Sequence, residues 1–120
     1  MITQEWARAF AHEWIAAWNA HDLGRVLSHY TDDFEMRSPY IAKFINEPSG
    51  TLRGKARVGE YWKVALARVP DLRFELVEVF SSADSIAIYY LGALEKRVVE
   101  TLFFNEAGKV CKAVSHYNSI

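Results

Sequence analysis

The chain has 120 residues, about half of them apolar, and a net charge of −1. This bounds it to one domain with a real core, and excludes a basic nucleic-acid binder and any bilayer-spanning run. Its single cysteine, Cys111, excludes an internal disulfide and a cysteine-rich metal site.

Thr3 is placed to cap a helix, with Glu5 in the first turn to suit the helix dipole. Trp6, Phe10, Trp14 and Trp18 recur at stride four beside Ala7, Ala11 and Ala17, while Arg8, His12, Glu13 and Asn19 take the other side. That spacing predicts an amphipathic helix. Asp22 then caps a shorter helix through Val26, Leu27 and Tyr30, weakened by Gly24. Asp32-Asp33 reads as a turn. After it Phe34, Met36 and Ser38 alternate with Glu35 and Arg37, the period of a half-buried strand, and Pro39 stops further pairing. A strand leading inward through Phe and Met to a hydroxyl makes a pocket wall.

Residues 39 to 50 are too apolar for a solvated loop, since Tyr40, Ile41, Phe44 and Ile45 need cover. They read either as a lid over a pocket mouth or as a structural flap. Thr51-Leu52-Arg53 is short enough to pair back as a strand. Arg53 could meet an anionic ligand or pair with Asp32 or Asp33. Beyond Gly54, the positions of Val58, Tyr61, Trp62, Ala65, Leu66 and Val69 predict a third helix that Pro70 ends.

Leu72 to Phe80, Asp84 to Leu91, Arg97 to Phe104 and Lys109 to Asn118 are strand-like runs joined by short turns, hence an antiparallel meander. Helices followed by such strands indicate an α+β fold with the helices laid on one sheet face. Both faces of these strands are apolar: Val99, Thr101 and Phe103 on one, Val98, Leu102 and Phe104 on the other. The second face predicts a homodimer packed sheet to sheet. Residues 1 to 120 hold no repeat or linker and read as a single domain. The first residues, Met-Ile-Thr-Gln-Glu, lack the charge and apolar core of a signal peptide, so the expected location is the cytoplasm. No Gly-rich phosphate loop, nucleophile elbow or metal-ligand spacing is present, so no metal or cofactor is expected.

The order helix, short helix, strand, helix and four-stranded meander resembles the nuclear transport factor 2-like superfamily over essentially the whole chain. The stretches Trp14 to Leu23, Tyr30 to Pro39, Gly50 to Gly54 and Phe104 to Val110 resemble its SnoaL-like and ketosteroid-isomerase-like branches. The resemblance implies a curved antiparallel sheet wrapped around three helices, forming a cone-shaped cavity. It specifies activity poorly, because the superfamily mixes enzymes with non-enzymes. The isomerases' donor Tyr corresponds to Trp14. Their Asp base before a Pro falls on Ser38, which cannot abstract a carbon-bound proton at neutral pH. Their neutral carboxylic acid corresponds to Glu100; that acid is a case known from a relative. With one of three positions keeping its chemistry, ordinary ketosteroid isomerisation is not expected.

Glu100 shares strand parity with Val98 and Leu102. If that face is concave its carboxyl is desolvated and acts as an acid or donor; otherwise it pairs at the rim with Arg97 or Lys112. By the resemblance Cys111, Ala113, Ser115 and Tyr117 point inward on the last strand, with Tyr117 orienting a ligand. His116 has the outer parity; in the reversed phase it becomes a general base near Glu100 and Tyr117. The expected lining comprises Trp14, Trp18, Phe34, Met36, Ser38, Tyr40, Tyr61, Trp62, Phe74 and Leu102. Together these imply a small hydrophobic or aromatic ligand. The activity implied is a cofactor-independent isomerase, dehydratase or cyclase, or alternatively a non-catalytic dimeric binding or adaptor module.

Overall fold

A computed structural model describes all residues from Met1 to Ile120. The Thr3 hydroxyl accepts the Trp6 N–H, and α1 runs Gln4–Asn19 with Ala7, Phe10, Ala11, Trp14, Ile15, Ala17 and Trp18 buried. The Asp22 carboxylate accepts the Arg25 N–H to begin α2, Leu23–Leu27. Strand β1 covers Tyr30–Arg37. Asp32 and Asp33 lie within it, exposed, where its pairing register slips.

The segment expected as a lid or flap is helical: α3, Pro39–Ile45. Ser38, still extended, caps it by accepting the Tyr40 N–H. Pro39 takes the first helical position, where a missing N–H costs nothing. Asn46 ends the helix in the left-handed conformation (φ 55°). The return loop lies against Ser38: the Ser38 N–H donates to the Gly50 carbonyl at 2.9 Å. A Cβ on Gly50 (φ +67°) would sit 3.1 Å from the Ser38 carbonyl oxygen, so glycine is required there on both counts.

Strand β2, Thr51–Arg53, pairs back on β1 as the sequence suggested. Helix α4, Lys55–Arg68, and strands β3 (Glu75–Ser81), β4 (Ser85–Leu91), β5 (Arg97–Phe104) and β6 (Val110–Tyr117) complete the fold. The sheet order is β2-β1-β6-β5-β4-β3, curved and unclosed. The ladders are antiparallel except β1 with β6, which run parallel, a pairing that needs the long connection lying between them. The mixed α+β class stands, with four α-helices rather than three.

Inward parity falls on Ile86, Ile88 and Tyr90 of β4 and on Val98, Glu100 and Leu102 of β5. On β6 it falls on Ala113 and Ser115. Cys111 was expected inward but is exposed. The β5–β6 register shifts between Phe103 and Phe104, leaving Cys111 as the extra bulged residue and turning Val110 inward instead. Inside the curve, α1 sets Trp14 and Trp18 against Phe74, Trp62 and Tyr90 at ring separations of 4.9 to 5.9 Å. The offset and edge-on geometries are those aromatic quadrupoles prefer. The Asn19 side chain fixes the chain just before β3, accepting from the Phe74 N–H at 2.6 Å and donating to its carbonyl at 2.9 Å.

Candidate functional site

Glu100 is the one carboxyl buried beneath the sheet's inner face, 3% exposed. The register places it between Ile88 of β4 and Ser115 of β6. Ser115 Oγ donates to its Oε1 at 2.7 Å and Tyr90 Oη at 3.3 Å. Oε2 takes no protein donor, yet it is not among the fully enclosed polar atoms left without a partner. One oxygen is therefore anchored and the other is free for an incoming group.

Burial pushes the Glu100 carboxyl up to about 7, although the Ser115 and Tyr90 hydrogen bonds pull the other way. No cation pairs with it. The rim partner suggested for it, Lys112, lies instead 3.9 Å from Glu35. Phenols surround the carboxyl. Tyr90 and Tyr30 are fully buried and pushed well above the usual phenol range, first by desolvation and then by the Glu100 charge. The same two causes raise Tyr117, and burial with the Tyr40 and Glu100 charges pushes Tyr61 up to about 12. These phenols stay protonated near neutrality and act as donors.

Trp14, the counterpart of the isomerase Tyr, spends its indole N–H on the Tyr30 hydroxyl at 2.9 Å. A phenol therefore does stand beside Glu100, supplied from β1 rather than α1. Sequence reading missed Tyr30 and Tyr90 as site residues. Tyr90 is readable from the alternation Ile86, Ile88, Tyr90, whereas Tyr30 follows Val26 and Leu27 at helical spacing and so reads as the end of the short helix.

The other expected residues are distributed as follows. Phe34, Met36, Trp62, Trp18 and Leu102 are buried in the packed core, with Phe34 against Tyr30 at 4.5 Å. Trp18 Nε1 is buried without a partner, an unused donor. Ser38 caps α3. Tyr40 stands edge-on to Tyr117 at 4.7 Å. Tyr117, Ser38, Tyr40 and Tyr61 thus gather at the end of the sheet where β1 and β6 finish. His116 does not join them. It lies opposite Val99 on the outer face and is exposed, because neighbouring strand residues point to opposite sides and Glu100 pairs with Ser115.

Two surface depressions are prominent. One of about 590 Å³ lies between α2 and α4, lined by Leu23, Leu27, Asp32, Lys55, Ala56, Gly59, Glu60 and Lys63. A second, about 280 Å³, is bounded by α3, its return loop, Ser38 and Ser115. The latter reaches residues that touch the Glu100 network. No three His, Cys, Asp or Glu side chains converge to hold a metal.

Arg53 pairs with Glu35, not with Asp32 or Asp33; Lys55 lies 3.6 Å from Asp32. Glu35, expected on a solvated face, is buried. Burial alone would raise its carboxyl, but Arg37, Arg53 and Lys112 outweigh it and the net shift is downward.

The chain is thus a curved, mixed α+β fold with an apolar core and one isolated acid buried on the inner sheet face. Residues 11–111 match the SnoaL-like domain model, and the chain belongs to that family. A SnoaL-like protein of unknown function from Burkholderia thailandensis is 50% identical, with a TM-score of 0.96 over 98% of both chains. RV0760c from Mycobacterium tuberculosis, solved in complex with estradiol-17beta-hemisuccinate, is 26% identical, with a TM-score of 0.75 over 94% of both chains. A computationally designed 17-OHP binder shares the fold at 22% identity and a TM-score of 0.72, covering 94% of this chain and 91% of that one. Among functionally curated proteins none matches significantly. No helix is long and apolar enough to cross a membrane.

Proposed function

We propose that this chain binds a small hydrophobic or aromatic molecule between its helices and the inner sheet face, with a polar oxygen of that molecule on Glu100. The observation that carries this is the division of labour in one buried carboxyl: Oε1 held by Ser115 and Tyr90, Oε2 left free. The unused Trp18 N–H is a second polar group that a ligand oxygen would satisfy. Trp14 and Phe74 form the back wall; Tyr40, Tyr61 and Tyr117 form the front. The chemistry that suits the site is cofactor-independent proton transfer of the isomerase, dehydratase or cyclase kind. A carboxyl poised near neutrality can give or take a proton, and its phenol neighbours can polarise a carbonyl. Nothing in Ser38 replaces the missing Asp base, so Glu100 is the acid–base group.

Titrating estradiol into protein carrying 13C-labelled Glu tests this directly. The Glu100 carboxyl resonance is expected to move with a saturable dependence, and Glu100→Gln to weaken binding by roughly ten-fold, the size of one lost charged hydrogen bond. No shift with estradiol or smaller aromatics supports the second reading, a non-catalytic adaptor, which the interlocking of Trp14, Trp18, Trp62 and Phe74 favours.

The outer sheet face is the proposed homodimer surface. Its centre is apolar: Val99, Tyr89, Ala87, Phe103 and Val114, with Phe80 and Val77 exposed toward β3. The β2–β1–β6 end carries Arg53, Arg37 and Lys112, and the β3 end carries Glu75 and Glu78. A two-fold axis running along the strands lays each basic end over the partner's acidic one; an axis across the strands would oppose like charges. Sedimentation equilibrium at micromolar protein is expected to show a dimer. Arg37→Glu should weaken it several-fold, and adding Glu78→Lys should restore it; a monomer throughout would overturn this arrangement.

A further inference from the structure

Beside Tyr117, α3 contacts the β4–β5 loop. Lys96 Nζ donates to Tyr40 Oη at 2.8 Å and lies 5.5 Å from that ring's centre. Lys43, one turn along α3, sits 6.0 Å from the Tyr40 ring and 5.8 Å from that of Phe44. Tyr40 and Phe44 stack at 5.3 Å, and Tyr40 meets Tyr117 edge-on. A row of side chains therefore runs from Tyr117, which feels the Glu100 charge, through Tyr40 to two ammonium groups.

Neither lysine has a carboxylate partner: every acid–base pair in the fold involves Glu13, Glu35 or Asp32. Lys96 is half-buried and held on the Tyr40 hydroxyl, so its charge is positioned but has no carboxylate beside it. On the same two elements Phe44 is 55% and Leu94 91% exposed. Leu94 stands on a turn whose backbone is left-handed at both Leu94 and Glu95 (φ 57° and 58°), a conformation that costs energy for side chains of this kind. The combination is an acid and phenols within, aromatic walls between, and paired cations at the edge.

We propose that the ligand of the Glu100 site is an amphiphile: an apolar ring body whose far end carries a carboxylate or similar anionic group, received at the mouth by Lys96 and Lys43. This rests on the binding reading above and adds the charge and polarity of the ligand. An ammonium held only by a hydroxyl gains a full charge partner when an anion arrives, whereas a neutral ligand leaves it as it was. The aromatic rings of Tyr40 and Phe44 hold the ammonium groups by cation–π attraction without neutralising them.

The test compares estradiol with estradiol 17-hemisuccinate, one ring body with and without an anionic tail, by calorimetry in the wild type, Lys43→Gln, Lys96→Gln and Glu100→Gln. The tailed steroid is expected to bind the wild type roughly three- to ten-fold more tightly at low salt, the range two exposed charge pairs supply. That ratio should shrink in 0.5 M salt and in either lysine variant. It should persist in Glu100→Gln, where both affinities fall together. Reading a ratio within each protein cancels any general weakening, and Lys43, exposed on α3, guards against a folding defect at Lys96. Equal affinities for the two steroids, or a preference that survives both lysine changes and salt, overturn the tail assignment alone. Binding of neither steroid overturns the site reading and this inference with it.

Discussion

Replacing Glu100 with Gln is expected to remove most of the loss of stability that the wild type suffers between pH 5 and pH 8.5. The sign follows from the direction of the shift. Burial raises the folded-state carboxyl from 4.5 to about 7, so the folded protein keeps this proton over a range where the unfolded chain has released it. The contribution is fully present below about 4.5 and is lost as pH rises through about 7. Integrated over the window it amounts to on the order of 3 kcal/mol, a sizeable share of a small domain's stability. The neighbouring phenols of Tyr30, Tyr61, Tyr90 and Tyr117 are all pushed upward and do not titrate in that interval.

Glu13 acts in a different range with the opposite sign. Hydrogen bonds from Arg25 and His29 lower it to about 2, so what it contributes is present above 4.5 and disappears as pH falls. Its side chain is more than a third exposed, and solvent screens the pair to a small effect. Urea unfolding of wild type and Glu100→Gln at both pH values gives the check. The difference between the two slopes isolates Glu100, because the histidines and Glu13 are common to both proteins. Parallel pH profiles would mean that the carboxyl is solvated, and the free-Oε2 description of the site would fall with it.

Strong local signals in the sequence matched the fold. The stride-four tryptophans, the Thr3 and Asp22 caps and the strand alternation around Glu100 each had a repeated local cause, and each is present. The failures came where one residue served two elements or where register slipped. Ser38-Pro39 was read as the end of a strand. It is also the cap and first position of a helix, because a capping hydroxyl and a proline at the first position suit a helix start as well as a strand stop.

Cys111 was misplaced because a bulge changes parity without any mark in the sequence. Glu35 looked solvated because alternation gives only the face. That the face carries Arg37, Arg53 and Lys112 from three different strands is a matter of pairing, invisible before the sheet is assembled. The Glu100 partners divide in the same way. Ser115 was expected inward by the resemblance but not as the partner of Glu100, and the Trp14–Tyr30 bond joins residues on a helix and a strand whose relative placement no local pattern encodes.

That bond underlies the largest effect expected from a single substitution. Trp14 is 2% exposed and contacts Trp18, Phe74 and Tyr90 while donating to Tyr30. Trp14→Ala removes a large buried ring and leaves a void among rigid neighbours that cannot close it. Core aromatic truncations of this kind cost about 3–5 kcal/mol. On a domain of ordinary stability, that leaves little margin for folding at 37 °C. Trp14→Phe keeps most of the ring but leaves the buried Tyr30 hydroxyl without its donor, for a cost of roughly 1–3 kcal/mol. The two variants therefore separate packing from hydrogen bonding. Urea midpoints should fall in the order wild type, Trp14→Phe, Trp14→Ala. The phenylalanine variant should also shift the Glu100 titration, since the Tyr30 hydroxyl, released from the indole, reorients beside the carboxyl. A Trp14→Ala protein within 1 kcal/mol of the wild type would show that the helix and sheet already enclose empty space at this position. The picture of interlocked rings behind Glu100 would then give way to a deep, open hollow.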